Sequence, residues 1–187
     1  MSLPLLLTLH VGALLVLVSG VKTKVDVIRG LGRAHTTEDL QLAMRDVRSL
    51  RWMMPLGSST LLATGVALAH TERLAWYTAW VVVPFGIVSF FFAYGWFVEA
   101  KELRWIGQLV KEGPSGELTP SLKKLARKPA MHAMLWIGPC SIVAQVYMMF
   151  SKPDLTGCLI TEALAVVVGL MLSTLLLHRW NSTSVSW

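Results

Sequence analysis

Two ionisable residues interrupt apolar stretches of this chain. Glu162 lies in Leu155-Thr156-Gly157-Cys158-Leu159-Ile160-Thr161-Glu162-Ala163-Leu164-Ala165, a run that stays apolar to Leu177. His10 lies in Leu9-His10-Val11-Gly12-Ala13. A carboxylate in hydrocarbon costs several kcal/mol unless it is paired, neutral or beside a wet cavity, so such a group marks a candidate site. An imidazole and a carboxylate together can share or pass a proton, hold a cation or ligate a metal. An imidazole alone on an apolar helix is an ordinary axial ligand for b-type haem. The bland alternative is a neutral His10 hydrogen-bonded to a neutral Glu162, serving only to pack helices.

The elements that must position these groups are apolar helices. With 54% hydrophobic residues the chain exceeds a soluble domain, and those residues fall into five runs at 3–21, 53–69, 74–98, 131–150 and 155–177. Each is about 17–25 residues, the length that crosses a roughly 30 Å hydrocarbon core as a helix. Period-two alternation is absent, which argues against a β-barrel. The expected fold is all-α: a polytopic membrane protein, one domain over 1–187, with a bundle of five transmembrane helices and long loops at 22–52 and 99–130.

The net charge of +6 is unevenly placed. Lys22, Lys24, Arg29, Arg33, Arg45, Arg48 and Arg51 lie between runs one and two. Lys101, Arg104, Lys111, Lys123, Lys124, Arg127 and Lys128 lie between runs three and four. The opposite connections hold only Arg73 and Lys152. Positive residues stay inside, so the N-terminus is expected outside, with both long loops and the C-terminus in the cytoplasm. The basic loops attract anionic lipid headgroups. They lack the aromatic interleaving of nucleic-acid surfaces, so no nucleic-acid partner is expected. The expected partners are the bilayer, other membrane subunits or further copies of the chain. Positive charge follows the first run rather than preceding it, so that run reads as a retained helix and not a signal peptide.

Depth then decides which groups can meet. At 1.5 Å per residue, His10 and Glu162 each lie roughly 10 Å below the outer boundary, and Gln145 on the fourth run roughly 7 Å. Glu162, Gly169 and Ser173 share one stripe; so do Gly138, Ser141 and Gln145. Small and polar stripes mark helix–helix contact, so His10, Gln145 and Glu162 are expected to form one polar intramembrane cluster in the outer half. A metal would be held by His10 and Glu162. A second axial haem ligand would be His70, at the outer end of the second run. His132 and His178 form a level pair at the inner boundary, and His35 lies in the basic loop. Cys140 and Cys158 fall in apolar runs and read as packing residues. There is no nucleophile triad, P-loop or dinucleotide fingerprint.

Thr36-Thr37-Glu38-Asp39 reads as a helix N-terminus, and Leu40, Ala43, Val47 and Leu50 give one face of a helix expected to run straight into the second span. Pro55 predicts a kink there. The third span is expected to continue to about Glu112 and stop at Gly113-Pro114-Ser115-Gly116. Thr119-Pro120 opens a short basic helix over 121–128, expected at the lipid surface. Trp52, Trp76, Trp80, Trp96, Trp105, Trp136 and Trp180 read as an aromatic belt.

Leu9-His10-Val11-Gly12-Ala13 with Ser19-Gly20, followed by a basic helical loop and then Pro55 and Thr64-Gly65, resembles a family of predicted bacterial integral membrane proteins. A more distant likeness is to the copper-resistance D-type membrane domain and to the membrane protoporphyrinogen oxidase that works without flavin. The likeness covers about residues 3–74. It implies a bacterial inner-membrane protein with a haem or copper role for His10. The chain departs from the oxidase family in having Leu15-Val16-Leu17-Val18-Ser19-Gly20 where that family is aromatic-rich, and in having no lysine inside a span. The resulting expectation is a redox-linked membrane protein binding haem b, or an accessory subunit of such an assembly. The alternative is a structural subunit or small transporter with a His/Glu proton or cation site.

Overall fold

The computed structural model describes residues 2–75, 77–112 and 116–183, the last eight as backbone alone. Every regular element among them is helical. No breaker follows Val21, so α1 (Leu3–Arg33) runs 31 residues, about 46 Å at 1.5 Å per residue. That exceeds a roughly 30 Å hydrocarbon core by several turns, and the residues expected to begin a loop at 22 are instead helical.

Helix α2 (Thr37–Met44) opens with a capping box. Thr36 Oγ1 accepts from the Asp39 N–H at 3.1 Å, and Asp39 Oδ2 accepts from the Thr36 N–H at 3.0 Å. Backbone N–H groups of His35 and Thr36 hold the Asp39 carboxyl below the usual carboxylate range. The expected continuous helix into the second span is broken: α2 ends at Met44 and α3 (Val47–Thr71) begins after a turn at Arg45 and Asp46. The break lets Leu40 and Leu50 enter the same core. Helix α3 then continues through Pro55.

The third span starts at Ala79, five residues later than the apolar run, because Thr78 is extended and caps α4 (Ala79–Tyr94). A π-helical turn over Gly95–Glu99 joins it to α5 (Ala100–Glu112). Trp76 and, of the expected stop signal, 113–115 lie outside the described residues. Thr119 caps α6 (Pro120–Ala126), and α7 (Pro129–Ser151) and α8 (Leu155–Thr183) complete the chain.

The two basic connections do not stand apart as loops. The Thr37 N–H donates to Gly116 O at 2.9 Å, and the Leu118 N–H donates to His35 O at 3.4 Å, tying one connection to the other. Beneath this tie, Val27, Ile28, Leu31, Leu40, Leu103, Ile106, Val110, Leu122 and Met131 form a continuous buried core. The basic end is thus a packed helical head. Leu122 and Ala126 of α6 are buried in it, so this helix docks on protein rather than resting only on lipid. Arg29 stacks over Trp136, 5.3 Å from the ring centroid, and Lys128 pairs with Glu102.

In the bundle, α1 and α3 pack antiparallel, with Gly20 against Met54, Gly57 against Leu17 and Gly65 against His10. Helices α7 and α8 pack as a second antiparallel pair, Gly169 against Ile137, and α4 touches both pairs. Around them Val11, Leu15, Phe90, Leu164 and Met171 are each more than half exposed. So much apolar surface fits lipid rather than water. Five helices are long and apolar enough to cross a membrane, which makes the chain a multi-pass membrane protein. Trp52, Trp96 and Trp105 are exposed, while Trp80 lies under Lys152 at 5.2 Å.

Candidate functional site

His10 is fixed by the α1–α3 pair. Its Nδ1 is 2.9 Å from Thr64 Oγ1, and Gly65 leaves room beside the ring: a Cβ there would lie 3.5 Å from His10 Cε1. Thr64 Oγ1 donates its proton to Thr60 O at 2.7 Å. With that proton so placed it can accept from His10 Nδ1–H, the tautomer that leaves the Nε2 lone pair open. Metal-bound histidines commonly use this arrangement, with one nitrogen donating to a neighbour and the other ligating.

Glu162 is fixed by the α7–α8 pair. Ser141 Oγ, fully buried, donates to Glu162 Oε1 at 2.5 Å. Glu162 Oε2 is buried with no hydrogen-bond partner among the described residues. Gln145 is also buried, one turn beyond Ser141. The expected trio is therefore distributed over two helix pairs. Glu162 and Gln145 flank Ser141, whereas His10 takes Thr64. His70 is exposed near the end of α3, about 7.5 Å beyond Gly65 along the helix axis. No group of three or more His, Cys, Asp or Glu suited to a metal occurs among the described residues. His35 is exposed, His132 is buried at the start of α7, and His178 lies where only backbone is described. Cys158 is buried in a small apolar cluster with Ala144, Met148 and Ala165, as a packing residue would be.

The structure adds a feature that the residue pattern did not reveal. A cavity of about 280 Å³ opens between α1, α3, α4, α5 and α7. Its walls are mostly apolar, with Leu17, Met54, Val88, Phe91, Leu135 and Ile142 among them. Gln145 lies toward the end away from the head. At the head end are Lys24, Arg51, Glu99 and Arg104. Lys24 Nζ and Glu99 Oε1 form an ion pair at 2.7 Å, with both side chains largely buried. Lys24 follows the first apolar run, so the sequence alone places it among the loop charges. The only advance sign is Glu99 directly after the apolar run 74–98, a carboxylate where a helix leaves the membrane.

Fold and site together define a five-helix membrane bundle with a basic helical head and an intramembrane cavity. Compared with known proteins, the chain matches no family, no curated protein and no solved structure.

Proposed function

We propose that this protein holds a small amphipathic molecule inside the bilayer, in the cavity between its helices, as a binding or carrier protein of a bacterial inner membrane. The observation that carries this reading is the cavity itself: mostly apolar along its length, with the Gln145 side chain in its wall and charges at the head end. Ligand pockets are mostly apolar with a few placed polar groups, and 280 Å³ is near the small end of their range. Fourteen Lys and Arg on the two basic connections against two on the opposite ones support an inward-facing head and an outer N-terminus.

Gly138 supplies the test. It lines the cavity, and a Cβ there meets nothing within 4 Å, so a larger side chain enters the space without striking backbone. Purified protein should bind oleyl alcohol or oleate saturably and stoichiometrically. Gly138→Leu should remain folded and lose that binding. Failure of the wild-type protein to bind either probe, or unchanged binding by Gly138→Leu, would refute the reading.

A second reading, b-type haem bound through His10 with a redox role, is favoured by the Thr64 hydroxyl 2.9 Å from Nδ1, which can orient the ring with Nε2 free to ligate. The residues fit one axial ligand; the exposed His70 is a poor second. Protein expressed with ample haem should then be coloured and give a b-type α-band with dithionite. His10→Ala should remove the band while leaving the fold intact. Colourless protein ends this reading.

A further inference from the structure

The head end of the cavity carries three cations, the largely buried Lys24 and the exposed Arg51 and Arg104, against one carboxylate, Glu99. A neutral ligand would make no use of that excess. The local backbone is also unusual there. In the π-helical turn over Gly95–Glu99 each hydrogen-bonded loop takes in one residue more than in an α-helix, a departure often found at functional sites. Phe97 and Val98 face outward, 71% and 40% exposed, whereas Glu99 is turned inward at 7%. Gly95 leaves space beside it: a Cβ there would be 3.9 Å from Glu99 Oε2. The turn thus aims one carboxylate at Lys24, in the wall of an apolar cavity.

Resting on the reading that the cavity holds an amphiphile, we propose that the ligand is anionic, a single-tailed lipid whose carboxylate or phosphate head is received by Lys24. Its tail runs past Met54 and Ile142 toward Gln145. Glu99 is the built-in competitor for the head. It neutralises Lys24 while the cavity is empty and gives it up when the lipid enters. Burial makes this exchange consequential, because a charge out of water needs a partner in either state, and with the lipid bound Arg51 and Arg104 at the same end are the cations left for Glu99.

The test compares oleate with oleyl alcohol, which share a tail and differ in head charge, on purified protein in neutral detergent. Wild type should bind oleate at least about fivefold more tightly, the scale of one charge-assisted contact. Glu99→Gln removes the competitor and should raise oleate affinity about tenfold, leaving oleyl alcohol unchanged. Breaking one side of a buried pair can unfold a protein, so the double variant Lys24→Gln/Glu99→Gln, which leaves neither charge, is the control for fold. It should still bind oleyl alcohol and should lose the preference for oleate. Inorganic phosphate in large excess should not displace oleate, since the tail supplies most of the binding. Equal affinity for the two probes, a preference that survives in the double variant, or displacement by phosphate alone would each overturn the proposal. Equal binding that Gly138→Leu still abolishes would leave the cavity reading standing and refute only the anionic head. Binding of neither probe would refute both.

Discussion

Replacing Gly169 by alanine tests the packing that holds Glu162 in place. An added Cβ would lie 2.6 Å from Ile137 Cα and 2.8 Å from Ile137 N. Both atoms are backbone, so no rotamer change relieves the overlap, and α7 and α8 must separate by about 1 Å to restore ordinary contact. Overpacking of this kind costs about 1–3 kcal/mol, and a backbone collision belongs at the upper end. Alanine returns about 1 kcal/mol of helix propensity. The net loss is about 1–2 kcal/mol, which for a chain of this size lowers the Tm by about 2–8 °C. Separation also lengthens the Ser141–Glu162 hydrogen bond, two helical turns away on the same stripe. Gly12→Ala is the matched control: nothing lies within 4 Å of its Cβ, so only the propensity gain applies and the Tm should hold or rise. Thermal unfolding in one detergent, followed by near-UV circular dichroism, reads both variants. A Gly169→Ala protein as stable as Gly12→Ala would refute the close α7–α8 approach.

Glu162→Gln keeps an acceptor for Ser141 and should melt near wild type, whereas Glu162→Leu strands that hydroxyl and should cost about 1 kcal/mol. Loss of ligand or proton-dependent function in a stable Glu162→Gln would assign the carboxyl an ionisable role; wild-type behaviour of both variants would show it idle. Thr64→Val removes the acceptor for His10 Nδ1–H and should also cost about 1 kcal/mol, and an unchanged Tm would refute that hydrogen bond. For orientation, single cysteines at Asp154 and Glu117 in a background lacking Cys140 and Cys158 should react with an impermeant thiol reagent at 154 alone in intact cells. Labelling at 117 alone would invert the proposed topology.

Much of the bundle follows from local chemistry. Five apolar runs of membrane length must become helices, because a backbone in hydrocarbon can satisfy its hydrogen bonds no other way short of a closed barrel. Caps at Thr36 and Thr119 were legible because a hydroxyl and a following acid or proline meet the free N–H groups of a first turn. The stripes naming Gly169, Ser141 and Glu162 were legible too, since a 3.6-residue period is written in the chain itself.

What only the tertiary structure decided is how these elements face one another. Depth arithmetic set His10, Gln145 and Glu162 near one level but carried no information on azimuth, so it did not assign His10 to Thr64 or Glu162 to Ser141. The basic stretches looked like loops because their charge set topology. Yet Val27, Ile28 and Leu31 from one meet Leu103, Ile106 and Leu122 from the other, and each face gains a core only when the opposite one is present. The cavity and its Lys24–Glu99 pair arise from the same cause. Three or more helices must be in place before a space between them exists, and the π-helical turn that aims Glu99 inward is set by hydrogen-bond register, which no residue pattern in Gly95–Glu99 announces.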